Sequence, residues 1–123
     1  MPSLPVGRAL LLACFLALPL GACVADGGDT SAGRASVLAT TISRASACKA
    51  GSPQRSTLDR FLVAETARGA TPEQIAAARS AYVSVSEAEM VNQDARPQAC
   101  AAEERAALKE RMARIRAGQF DAP

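Results

Sequence analysis

Thr71-Pro72-Glu73-Gln74-Ile75 is the stretch on which the fold turns. A threonine hydroxyl there accepts an otherwise orphaned N–H, and the proline ring fixes φ for a first helical position. Glutamine three residues after the threonine completes a capping box, so a helix starts here. Downstream, Ile75, Ala78, Tyr82, Val85 and Glu89 recur at helical spacing, flanked by Val83 and Met90. The pattern predicts a helix from Pro72 to about Val91, with Asn92 to Arg96 interrupting it.

On the C-terminal side, Pro97 is predicted to open a further helix running to about Ala117. Its inner side is Cys100, Ala107, Leu108, Met112 and Ile115. Glu103 and Glu104 stand near its start and Arg111, Arg114 and Arg116 near its end, a polarity that suits the helix dipole. Glu110 and Arg114 add an i,i+4 pair, and Gly118 is placed to cap the end. On the N-terminal side, a helix from Pro53 or Thr57 to Arg68 groups Leu58, Phe61, Leu62 and Glu65 on one face. Gly69 follows in the position of a left-handed cap. A first helix is expected over Ala35 to Cys48, with Leu38, Ile42 (or Thr41), Ala45 and Cys48 on its stripe. Strand signals are absent. The fold class expected is all-α: a small four-helix bundle over residues 35–118, with a short tail over 119–123.

The N-terminus sorts the cysteines. Arg8 precedes an apolar run, Ala9 to Leu20, that meets Leu20-Gly21-Ala22-Cys23. The run is too short to cross a bilayer core of ~30 Å, and Pro19 disturbs its end. Small residues before a cysteine have the layout of a bacterial lipoprotein signal peptide, covering residues 1–22, with Cys23 as the lipidated first residue of the mature chain. A lipobox at Leu11-Leu12-Ala13-Cys14, which leaves almost no hydrophobic core before the cut, and an ordinary cut after Ala25 are the competing readings. Residues 23–34, rich in Gly, Asp, Ser and Ala, are expected to be a flexible tether. Valine rather than aspartate follows Cys23, which favours the outer membrane, with the domain facing the periplasm. Cys14 leaves with the signal and Cys23 takes lipid, so Cys48 and Cys100 remain as a disulfide pair in an oxidising compartment. That bridge is needed, because the mature chain has only Phe61, Tyr82 and Phe120 as aromatics and hence little apolar area to bury.

Composition excludes several functions. The formal net charge of the whole chain is +2, and no basic run is interleaved with aromatics, so nucleic acid is not an expected partner. There is no histidine for general base work or metal binding, and no GxSxG, phosphate loop or zinc spacing. The neighbouring carboxylates Glu87 and Glu89, and Glu103 and Glu104, diverge on a helix. No catalysis, metal, small-molecule substrate or cofactor beyond the covalent lipid is expected. Recognition is left, and an apolar groove for a partner's amphipathic helix is expected among Leu58, Phe61, Leu62, Tyr82, Val83, Val85 and Met90. Tyr82, Val83, Val85 and Met90 cover more of their helix than one core stripe requires.

The order of lipobox, tether, helix ending in cysteine, two helices and a cysteine opening the last helix resembles the type II secretion pilotins of the PulS/OutS kind. Cys23, Cys48, Cys100 and the Arg68-Gly69 turn carry the resemblance. It implies a helical outer-membrane lipoprotein that holds the C-terminal segment of a secretin subunit and aids its outer-membrane targeting. This chain departs from those proteins in having Ala70 after the glycine and no tryptophan. A competing resemblance is to acid-stress periplasmic chaperones of the HdeA type, which are small, helical and clamped by one disulfide but carry no lipobox. A structural lipoprotein role is the third alternative.

Overall fold

The computed structural model describes residues 29–121. The signal peptide expected over residues 1–22, the expected lipid site Cys23 and the first part of the expected tether lie outside the described residues. Within them the chain forms four helices: α1 (Ser31–Ala47), α2 (Thr57–Ala67), α3 (Pro72–Ala95) and α4 (Ala102–Arg116). The described residues contain no strand. The all-helical reading with a Cys48–Cys100 pair holds, the two sulfurs being 1.99 Å apart across a sequence separation of 52.

The helix boundaries differ from the expected ones for local reasons. α1 begins at Ser31 rather than Ala35, because the Thr30 hydroxyl accepts from the Gly33 N–H at 2.9 Å and caps it. The tether expected over residues 23–34 therefore ends by Thr30, and Ser31 is buried. α3 continues through Asn92 to Ala95 and stops just before Pro97, the first residue that cannot continue the ladder. α4 starts at Ala102, five residues later than expected from Pro97. Cys100 is thus not on the helix but in the segment before it. The Ala99 carbonyl there accepts from Arg44, and Arg105 donates to the Cys48 carbonyl at 3.0 Å. Ala107, expected on the buried side, is exposed, while Leu108, Met112 and Ile115 are buried.

Three helix ends share one device. After α2, Gly69 has φ +97°, and the Ala70 N–H reaches back to the Glu65 carbonyl at 3.1 Å. No atom lies within 4 Å of where a Cβ on Gly69 would sit, so left-handed backbone alone requires glycine there. Gly118 closes α4 in the same way. After α1 the position is filled by Lys49, with φ +53°, and the Ala50 N–H bonds the Ala45 carbonyl at 2.8 Å.

The helices alternate in direction. Glu65 near the end of α2 bonds Ser31 and Arg34 at the start of α1, and Gln74 of α3 lies near them. At the opposite end Cys48 is bonded to Cys100. α1 and α3 therefore run in parallel, with α2 and α4 returning. α1 makes its most extensive interface with α3. Ala35, Ala39 and Ala78 are fully buried, and such small side chains allow two backbones to approach closely. Leu38, Ile42, Phe61, Leu62, Leu108 and Met112 fill the core around them. Phe120 packs on Phe61 edge to face, with ring centroids 5.6 Å apart, so the tail is docked at least to Asp121. This core, the disulfide and the ion pairs described here all lie within residues 29–121.

α3 is 24 residues long and α1 is 17. At 1.5 Å per residue α3 is roughly 10 Å the longer. Ala78 is its one fully buried residue; in the far half Val85, Ser86, Glu89 and Gln93 are half-buried, and Glu87, Met90, Val91 and Asp94 are exposed. No described helix is long and apolar enough to cross a membrane.

Candidate functional site

The structure separates the expected groove residues. Phe61 and Leu62 are buried core residues, because α2 turns that stripe inward beneath Phe120. Leu58 and Tyr82 are half-buried and packed against the same core. Val85 is also half-buried, whereas Val83 and Met90 stand exposed on α3. The seven residues do not line one groove: Phe61 and Leu62 of α2 face the core, and of the seven only Val83 and Met90 of α3 stand exposed, as do Val63 of α2 and Val37 of α1 outside that set. Sequence reasoning missed Val91, which at 66% exposure is the most open large apolar residue of α3. Glu87 and Asp94 are exposed alongside it, so the far half of α3 is apolar and acidic. Burial raises the Tyr82 hydroxyl pKa above its ordinary value, opposed by a hydrogen bond with Ser86.

At the other end of the bundle is a polar network absent from the sequence-based site. Glu65 has no exposed surface, yet it is fully partnered. Ser31 Oγ donates to Oε2 at 2.7 Å, Arg34 Nε to Oε1 at 3.0 Å and Arg34 Nη2 to Oε2 at 2.5 Å. Arg68 adds a cation at 3.5 Å. The Arg34 hydrogen bonds hold the Glu65 carboxyl below its ordinary range, with help from Ser31 and against the effect of burial. Its place on an apolar stripe gave the only sequence signal: a glutamate on a core face needs a cation from elsewhere in the fold.

Beside this network a cavity of about 370 Å³ opens between α1, α4 and the Phe120 tail. Val37, Leu38, Ile115 and Phe120 supply its apolar wall, and Arg34, Arg68, Arg111 and Arg114 supply its cations. Arg68 pairs with Asp121, and Arg114 lies 3.8 Å from Glu110. Arg111 has no ion-pair partner among the described residues. Arg114 Nε is buried with no hydrogen-bond partner among them. Helical spacing alone places Arg111, Arg114 and Ile115 together on α4; that α1 supplies the opposite wall is a tertiary fact.

Cys48, Cys100 and Glu104 form the one described group close enough to share a metal ion. Its chemistry is already committed, since the sulfurs are bonded to each other. Arg44 also clamps Glu104 through Nε at 2.5 Å and Nη2 at 2.8 Å. The fold and these sites define a disulfide-clamped helical domain with two differently charged ends. No family model, curated protein or solved structure matches the chain.

Proposed function

We propose that this chain is a lipid-anchored envelope adaptor. Lipid on Cys23 holds it at the outer membrane facing the periplasm, and the far half of α3 receives an amphipathic helix from a protein partner. The observation that carries this reading is the exposure of Val83, Met90 and Val91 on a long helix whose inner side keeps only Ala78 fully buried. Val83, Glu87, Met90, Val91 and Asp94 share one side of α3, along which a partner helix can pack as one helix packs on another. Glu87 and Asp94 beside it favour a partner helix with basic flanks. In the pilotin manner, the partner is the C-terminal segment of a secretin subunit, and the anchor carries it to the outer membrane.

The test is a photo-reactive residue at Val91 of the full chain, crosslinked in cells and read by mass spectrometry. The expected product joins a secretin through its C-terminal segment and is lost with Met90→Asp. Crosslinks that persist in that variant, or that never include an envelope protein, overturn the reading. Palmitate labelling lost in Cys23→Ser checks the anchor independently.

A further inference from the structure

We propose that the cavity between α1, α4 and the Phe120 tail is a binding site for an anionic phospholipid. The phosphate sits between Arg111 and Arg114, and an acyl segment lies over Val37, Leu38 and Ile115.

The cavity has suitable size and walls. Its volume of about 370 Å³ lies in the range of pockets that hold small ligands, and its floor is apolar. An amphiphile with an anionic head matches that combination.

Its cations are unequally satisfied. Arg34 and Arg68 are already paired with Glu65 and Asp121. Arg111 faces no carboxylate at pairing distance among the described residues. Arg114 has only the 3.8 Å approach of Glu110, and its buried Nε has no partner. A buried donor left unpaired is costly, and guanidinium forks match phosphate oxygens in bidentate geometry. A phosphate held by the exposed guanidinium nitrogens of Arg111 and Arg114 compensates the one cation of this cavity that has no carboxylate partner among the described residues.

Position identifies the source of that phosphate. Arg34 Nη1 donates to the Asp29 carbonyl at 2.7 Å, so the chain leaves the described fold at the rim of this cavity. The residues between Cys23 and Asp29, fully extended, reach at most about 21 Å. With lipid on Cys23, the arginine end stands at the headgroup layer, where anionic lipids attract basic side chains. This placement rests on the anchor proposed above; the chemistry of the site does not.

The experiment uses the mature chain from residue 23, oxidised and carrying Cys23→Ser, because its core and disulfide lie within residues 29–121. It is sedimented with phosphatidylcholine vesicles that contain or lack phosphatidylglycerol. Retention on the phosphatidylglycerol vesicles alone, weakening as salt is raised, is expected. Arg111→Gln should reduce it about fivefold, and Arg111→Gln combined with Arg114→Gln about thirtyfold. Val37→Glu, at an exposed wall position, should abolish it without lowering the melting temperature. Equal retention on phosphatidylcholine, indifference to these substitutions, or release by free glycerol phosphate at matched concentration overturns the proposal. Intact mass of the membrane-purified full chain reports lipidation on its own, so a missing anchor and a missing lipid site give different results.

Discussion

The arginine end of the bundle and the far half of α3 are built on opposite terms. At the first, charges are locked into the fold: Glu65 is buried under Ser31 and Arg34, Arg68 ties Asp121 down, and Phe120 closes over Phe61. At the second, Met90, Val91, Glu87 and Asp94 are exposed on a helix that has outrun its neighbour. Glu65, Arg34, Arg68 and Phe120 at the first therefore serve folding, Arg111 beside them having no ion-pair partner among the described residues, while Met90 and Val91 at the second bury little area and contribute little to folding. Local stability follows the density of buried contacts.

Substitutions should break this contrast in order of size. The disulfide, at the opposite end of the bundle from Glu65, comes first. Replacing Cys48 and Cys100 with alanine frees a long loop, and a loss of about 4 kcal/mol is expected from the chain-entropy model. Denaturant unfolding of oxidised and substituted chains measures it. Next is Glu65→Ala, which leaves Arg34 without its buried partner and should cost about 3 kcal/mol. The same residue gives the arginine end a pH signature. Because the folded pKa of Glu65 lies below its unfolded value, its contribution is complete above the unfolded pKa, about 4.3, and fades as pH falls through the folded one. Stability of the wild type should therefore drop in acid more steeply than that of Glu65→Gln, as melting curves taken between neutral and strongly acidic pH will show.

Phe120→Ala should cost about 2 kcal/mol, less than a fully buried phenylalanine, because the ring keeps some contact with solvent. Thermal melts combined with proteolysis of the tail would separate undocking from global unfolding. The smallest effect belongs to α3. Met90→Ser with Val91→Ser should change stability by no more than about 0.5 kcal/mol. A larger loss would mean that the far half of α3 is part of the core, and the contrast between the ends would collapse.

Much of the fold was legible locally. Thr71 and Gln74 form the expected capping box, with the Gln74 N–H on the Thr71 hydroxyl at 3.2 Å and the Thr71 N–H on Gln74 Oε1 at 2.8 Å. Gly69 and Gly118 sit in the left-handed caps that helical spacing assigned to them. Such signals are readable because their partners lie within a few residues. The start of α4 was not, since Cys100 is held in an extended segment by Cys48, more than fifty residues away. The candidate groove was the least legible feature. Periodicity marks Leu58, Phe61 and Leu62 as a face, but it does not say what that face meets.

The sequence by itself determined that this chain is helical and where its second and fourth helices cap. These follow from backbone geometry and residue chemistry over short spans. Only the tertiary structure decided that Glu65 is buried and paired with Arg34, that α3 outruns α1, and that arginines from α1, α2 and α4 meet around one apolar cavity. Burial and charge pairing depend on which helix covers which. That is settled by packing a core poor in large side chains, where α1 and α3 close on alanine and the scarce aromatic rings are drawn inward.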